Sequence, residues 1–168
     1  MKKSLSVLFV VTLCVLCVGT SFSQATANQT VNLAVNSVQK IAITGSPITL
    51  TIVNGVAGTD ALTPVTDATS TYSITHNSNT ALRITANLDA VLASGYQLQM
   101  NLAPSVGHGT SAGTVDISNA LAASAVNVVT VIPKGADAAR TITYTFSANA
   151  SAGALASVAK TVTLTLTN

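Results

Sequence analysis

Thr141-Ile142-Thr143-Tyr144-Thr145-Phe146 changes character at every residue, apolar against threonine. Successive side chains of a β-strand point to opposite faces, so Ile142, Tyr144 and Phe146 share one face and the three threonines the other. The first face suits a hydrophobic core. The second suits water: threonine is β-branched, fits a pleated surface and satisfies its hydroxyl with solvent or a cross-strand neighbour. The C-terminus repeats the code, with Val162, Leu164 and Leu166 set against Thr161, Thr163, Thr165 and Thr167. A chain whose outer faces are threonine can stay soluble with 7% charged residues.

The same period of two recurs along the chain. Val31-Leu33-Val35, Ile48-Leu50-Ile52, Tyr72-Ile74, Leu82-Ile84-Ala86-Leu88, Tyr96-Leu98-Met100-Leu102, Val115-Ile117 and Val126-Val128 all alternate with smaller or polar residues. With Val38 to Thr44 as a further short strand, about ten strands are predicted. The gaps hold turn formers: Gly45-Ser46-Pro47, Asn54-Gly55, Asn77-Ser78-Asn79, Ser94-Gly95, Gly107-His108-Gly109 and Lys134-Gly135-Ala136-Asp137. Asn54-Gly55 is the strongest, because both residues tolerate the positive φ of a tight hairpin turn. The Ala-rich pieces 119–125 and 149–156 contain Ser or Gly and are read as loops. Short strands spaced in this way, with no helical period between them, favour a sandwich or barrel over a parallel α/β sheet, and the expectation adopted is an all-β chain, an immunoglobulin-like or fimbrial-like β-sandwich.

The N-terminus reads as an export signal, residues 1–23. Lys2 and Lys3 form a positive start, Leu5 to Val18 an apolar run of 14 residues, and Ser21 and Ser23 the small residues a signal peptidase requires. The run is shorter than the roughly 20 residues that span a bilayer as a helix. Cleavage would leave one domain, 24–168, with no membrane segment, destined for the periplasm, the cell surface or the medium. Both cysteines, Cys14 and Cys17, fall inside the apolar run, so the mature domain would fold without a disulfide. Each follows a leucine rather than the Gly, Ala or Ser that precedes a lipid-anchored cysteine. Without Lys2 and Lys3, five basic residues (Lys40, Arg83, Lys134, Arg140, Lys160) balance five aspartates (Asp60, Asp67, Asp89, Asp116, Asp137). Scattered single charges make no stripe to neutralise phosphates, which argues against nucleic acid as a partner.

Residues that could carry chemistry are sparse. Gly107-His108-Gly109-Thr110 resembles the histidine box of subtilisin-like proteases, but the chain lacks that family's aspartate and serine segments, so a glycine-rich loop is the reading adopted. His76 and His108 are the only imidazoles, and His76, just before Asn77-Ser78-Asn79, is taken as a polar strand-end residue. With dispersed aspartates and no Glu, no metal or cofactor site and no catalytic residue is assigned, and an enzyme is not expected. Tyr72, Tyr96, Tyr144 and Phe146 alternate with the apolar face of their strands and are expected in the core rather than as a sugar platform.

The segment after the predicted cleavage site offers the clearest interaction candidate. Residues 24–29 are small and polar and lead into Thr30-Val31-Asn32-Leu33-Ala34-Val35-Asn36. Val31, Leu33 and Val35 could enter a neighbouring subunit's groove by strand addition, although the same residues could also form an ordinary first strand of their own domain. In signal, size, this segment and the alternating final strand, the chain resembles bacterial chaperone–usher pilins and related secreted fimbrial or coat-type proteins. It differs in having no mature cysteine pair and no aromatic near its end. The resemblance implies an exported structural subunit of a fibre or surface layer. A monomeric binding module for a surface glycan is the alternative.

Overall fold

The computed structural model describes residues 25–45 and 47–168; the predicted signal, residues 1–23, lies outside them. Two units are distinguished, one ending at Val35 and one beginning at Asn36. In the first, residues 25–35 adopt neither strand nor helix.

In the second, alternation becomes two antiparallel sheets. One holds five strands in the order β1 (Gln39–Thr44), β2 (Val65–His76), β8 (Gly135–Ala148), β4 (Tyr96–Leu102) and β6 (Val115–Asp116). The other holds β5 (Thr110–Ser111), β7 (Val126–Ile132), β3 (Leu82–Leu88) and β9 (Val162–Thr167). Every ladder is antiparallel. Leu82, Ile84, Ala86 and Leu88 of β3 are buried, as are Leu98, Met100 and Leu102 of β4 and Ile142 and Tyr144 of β8. These inner faces form one hydrophobic core, which defines a β-sandwich. Thr141 and Thr165 are exposed on the opposite faces, and Thr66 and Thr145 share a hydroxyl hydrogen bond of 3.2 Å across β2 and β8.

Irregularities fall where the ladder gains residues. β2 shifts register between Asp67 and Ser70, where Asp67 Oδ1 accepts from the backbone N and the hydroxyl of Thr69. On β8 the shift includes Ala139 at φ 52°, and on β7 Val131 at φ 53°, left-handed conformations that bulges impose on non-glycine residues. Gly45 ends β1 at φ 142°, and a Cβ there would sit 2.7 Å from Ser70 Oγ, so a side chain is excluded twice over.

Several expectations change. The alternating stretches 31–35 and 48–52 belong to no strand. Lys134 to Asp137 is not a turn alone, because β8 begins at Gly135. Asn54-Gly55 does not form a tight hairpin: Gly55 bridges to Leu62 and Thr63 N donates to Asn54 O, so the pair opens a wider loop that turns at Gly58, φ 85°. Single 3-10 turns occupy Ala122–Ser124 and Ala150–Ala152 in the Ala-rich loops. Tyr72 and Tyr144 are buried as expected, while the half-buried Tyr96 and Phe146 stack on each other with ring centroids 6.4 Å apart. His76 lies at the end of β2 but is not solvated: it is 2% exposed, and neither ring nitrogen has a hydrogen-bond partner among the described residues.

Candidate functional site

The N-terminal segment and the sheet margins supply the strongest candidate. Val31, Leu33 and Val35 are 67%, 89% and 87% exposed and carry their alternation outside any ladder. The second unit is fixed at its start by Asn77. Its Oδ1 accepts from Val38 N at 2.7 Å, its Nδ2 donates to Asn36 O at 2.9 Å, and its backbone N donates to Val38 O. Asn77 was legible as a turn residue; its role as a clamp on a segment some 40 residues earlier was not.

Among the described strands each sheet has two edges, short β6 and β5 on one side and the longer β1 and β9 on the other. β1 pairs with β2 alone, and β9 with β3 alone. β1 and β9 approach each other across the sandwich, so their open edges share one margin. Beyond Gly45, residues 47–53 continue the alternation with Ile48, Leu50 and Ile52 half-buried and Thr49, Thr51 and Val53 exposed. Ile48 and Leu50 pack against the core, as do Ile41 of β1 and Val162 and Leu166 of β9. No backbone hydrogen bond joins 47–53 to another described segment. An apolar strip with its amides and carbonyls unengaged can receive an added strand, because strand addition consists of those hydrogen bonds and of pockets for alternate side chains.

Elsewhere the fold gathers Ser105, Asp137, Arg140 and Tyr72, a group that sequence spacing did not indicate. Asp137, 6% exposed, accepts from Ser105 N at 2.9 Å and from Ser105 Oγ at 2.6 Å, with Arg140 Nε at 3.4 Å. Burial alone would raise its pKa. The two Ser105 hydrogen bonds and the charges of Arg140 and His108 outweigh burial and hold the carboxyl below the usual carboxylate range. Tyr72 is pushed up to about 12, first by burial and then by the Asp137 charge, against which Arg140 acts. The chemistry is that of a buttress. The Ser105 hydroxyl donates its hydrogen bond to the carboxylate, not to an imidazole, and among the described residues no side-chain hydrogen bond of His108 joins it to either residue. Gly109 beside it has a packing reason, since at φ 121° its Cβ would lie 2.8 Å from Val129 Cγ1.

The buttress makes stability depend on pH in a fixed direction. A carboxylate whose pKa is depressed on folding contributes stability above its unfolded pKa of about 3.9 and loses it as pH falls through the folded value. Asp137→Asn is expected to lower the urea midpoint at pH 7, with the gap to the unmutated protein closing as pH falls below about 4. A gap independent of pH would show that the charge of Asp137 is not what the site uses.

Comparison with known proteins finds no family model, no curated protein and no solved structure that matches the chain. Among the described residues, no helix is long and apolar enough to cross a membrane, and no three His, Cys, Asp or Glu gather as metal ligands.

Proposed function

We propose that the protein is an exported structural subunit of a fibre or surface layer, and that its copies associate through strand edges. Residues 30–36 of one copy add as a strand to the open margin of the next, against residues 47–53 and β9, and Val31, Leu33 and Val35 fill apolar positions there. The observation that carries this reading is the exposure of those three side chains, on alternating residues, outside every ladder. Three large apolar side chains that lie mostly in water on one short segment mark an interaction site rather than a solvated linker. The pattern of unpaired edges, left without charged residues on β9, points the same way.

Size-exclusion chromatography and electron microscopy of the mature protein test it. Concentration-dependent polymers are expected. Deletion of residues 24–36 is expected to leave a folded, monodisperse protein that binds a synthetic peptide of that sequence. A parent that stays monomeric at high concentration, or a deletion that unfolds the domain, overturns the proposal.

A further inference from the structure

We propose that a polar cleft at one end of the five-stranded sheet binds a neutral carbohydrate through Asp116, Gln97, Asn119 and Asn149. The inference is independent of strand addition. The cleft holds about 500 Å³ and is walled by the 92–95 turn, the start of β4, residues 116–119 and the end of β8. Across it runs a directed chain of hydrogen bonds from three neighbouring strands. Ser147 Oγ donates to Gln97 Oε1 at 3.3 Å, and Gln97 Nε2 donates to Asp116 Oδ2 at 2.8 Å. Asp116 Oδ1 accepts from Ser118 N at 2.8 Å and from Ser118 Oγ at 2.5 Å. Ser118 is itself buried and its Oγ accepts from Leu98 N, so the carboxylate is fixed to the sheet backbone rather than swinging on a surface loop.

This arrangement predicts the ligand's chemistry. A carboxylate and a carboxamide held in one orientation at the cleft keep lone pairs and one N–H that no other described residue engages, which spares a ligand the entropy of ordering them. Asn119 and Asn149 are exposed at the cleft, and their carboxamides make no hydrogen bond to another described residue. Each offers two donors and an acceptor. A hydroxyl is both donor and acceptor, so vicinal hydroxyls match a mixed set of amides and a carboxylate. An ammonium or guanidinium group only donates and would leave the amide N–H groups opposed to its own. A single carboxylate is also too little for a metal ion. Half-buried Leu92 and Tyr96 add apolar surface for a sugar's C–H face.

Isothermal titration calorimetry of the mature protein with mannotriose, maltotriose and chitotriose, and with arginine as a cationic control, tests the proposal. At least one trisaccharide is expected to bind. Asp116→Asn, which keeps an acceptor for Ser118, is expected to weaken that binding about tenfold, the loss of one hydrogen bond to a charged acceptor. The exposed pair Asn119→Ala, Asn149→Ala is expected to weaken it at least as much without changing the melting temperature, so a folding defect in Asp116→Asn would not obscure the result. Three outcomes overturn the proposal: no trisaccharide binds, arginine alone binds, or binding survives both sets of substitutions unchanged.

Discussion

Val31→Asp combined with Leu33→Asp is expected to abolish polymer formation while leaving the circular dichroism spectrum and urea midpoint of the unassembled protein unchanged. The two halves of this expectation rest on different physics. In the unassembled protein both side chains are mostly in water, at 67% and 89% exposure, so exchanging them for carboxylates removes little buried surface and strands no charge. In an assembled polymer the same positions would enter an apolar groove, where an unpaired carboxylate costs several kcal/mol. Both penalties fall on the same strand addition, whose hydrogen bonds and apolar contacts must offset them. Sedimentation velocity across a concentration series reads the first half and a urea melt the second. Persistent polymers would place the association elsewhere on the surface, and a lost fold would mean that the segment belongs to its own domain.

Ile84→Ala is expected to destabilise the domain by about 2–5 kcal/mol, whereas Leu33→Ala stays within about 0.5 kcal/mol. Ile84 is fully buried in β3, the strand flanked by both β7 and β9, and its truncation leaves a cavity that two ladders hold open. Leu33 has no such surroundings in the monomer. Both residues sit in faultless alternating patterns, so the contrast separates pattern from packing. Equal losses in urea would mean that Leu33 is buried in the folded protein.

That contrast also explains how far the fold could be read from the chain. β3 and β4 run from Leu82 to Leu88 and from Tyr96 to Leu102, the spans their alternation predicts. β9 follows its threonine row. At Val31–Val35 and Ile48–Ile52 the same reading overreached, because alternation records which side chains share a face and says nothing about whether a neighbouring backbone is available to pair. β2 and β8 were underestimated for the converse reason. Their bulges at Asp67–Ser70 and around Ala139 interrupt the period while the ladder continues, and Asp137, placed in a turn by its residue type, lies buried inside β8. β5 is two residues long and too short to carry a period. The candidate cleft was not legible at all: Gln97 and Asp116 are 19 residues apart and meet only because β4 and β6 pair.

The strand order has a consequence for the timing of folding. β1 and β2 pair with each other, but β3 has β7 and β9 as partners, and β4 has β6 and β8. As the chain emerges from the ribosome, the β1–β2 ladder alone among the described strands can close before Val115 appears. The larger sheet lacks its central strand until Ala148 has been made, and the smaller one is incomplete until Thr167. Pairings that span this much sequence place folding in the millisecond-to-second range. The two-layer core therefore cannot close until almost the last residue has been made, because β9 ends at Thr167.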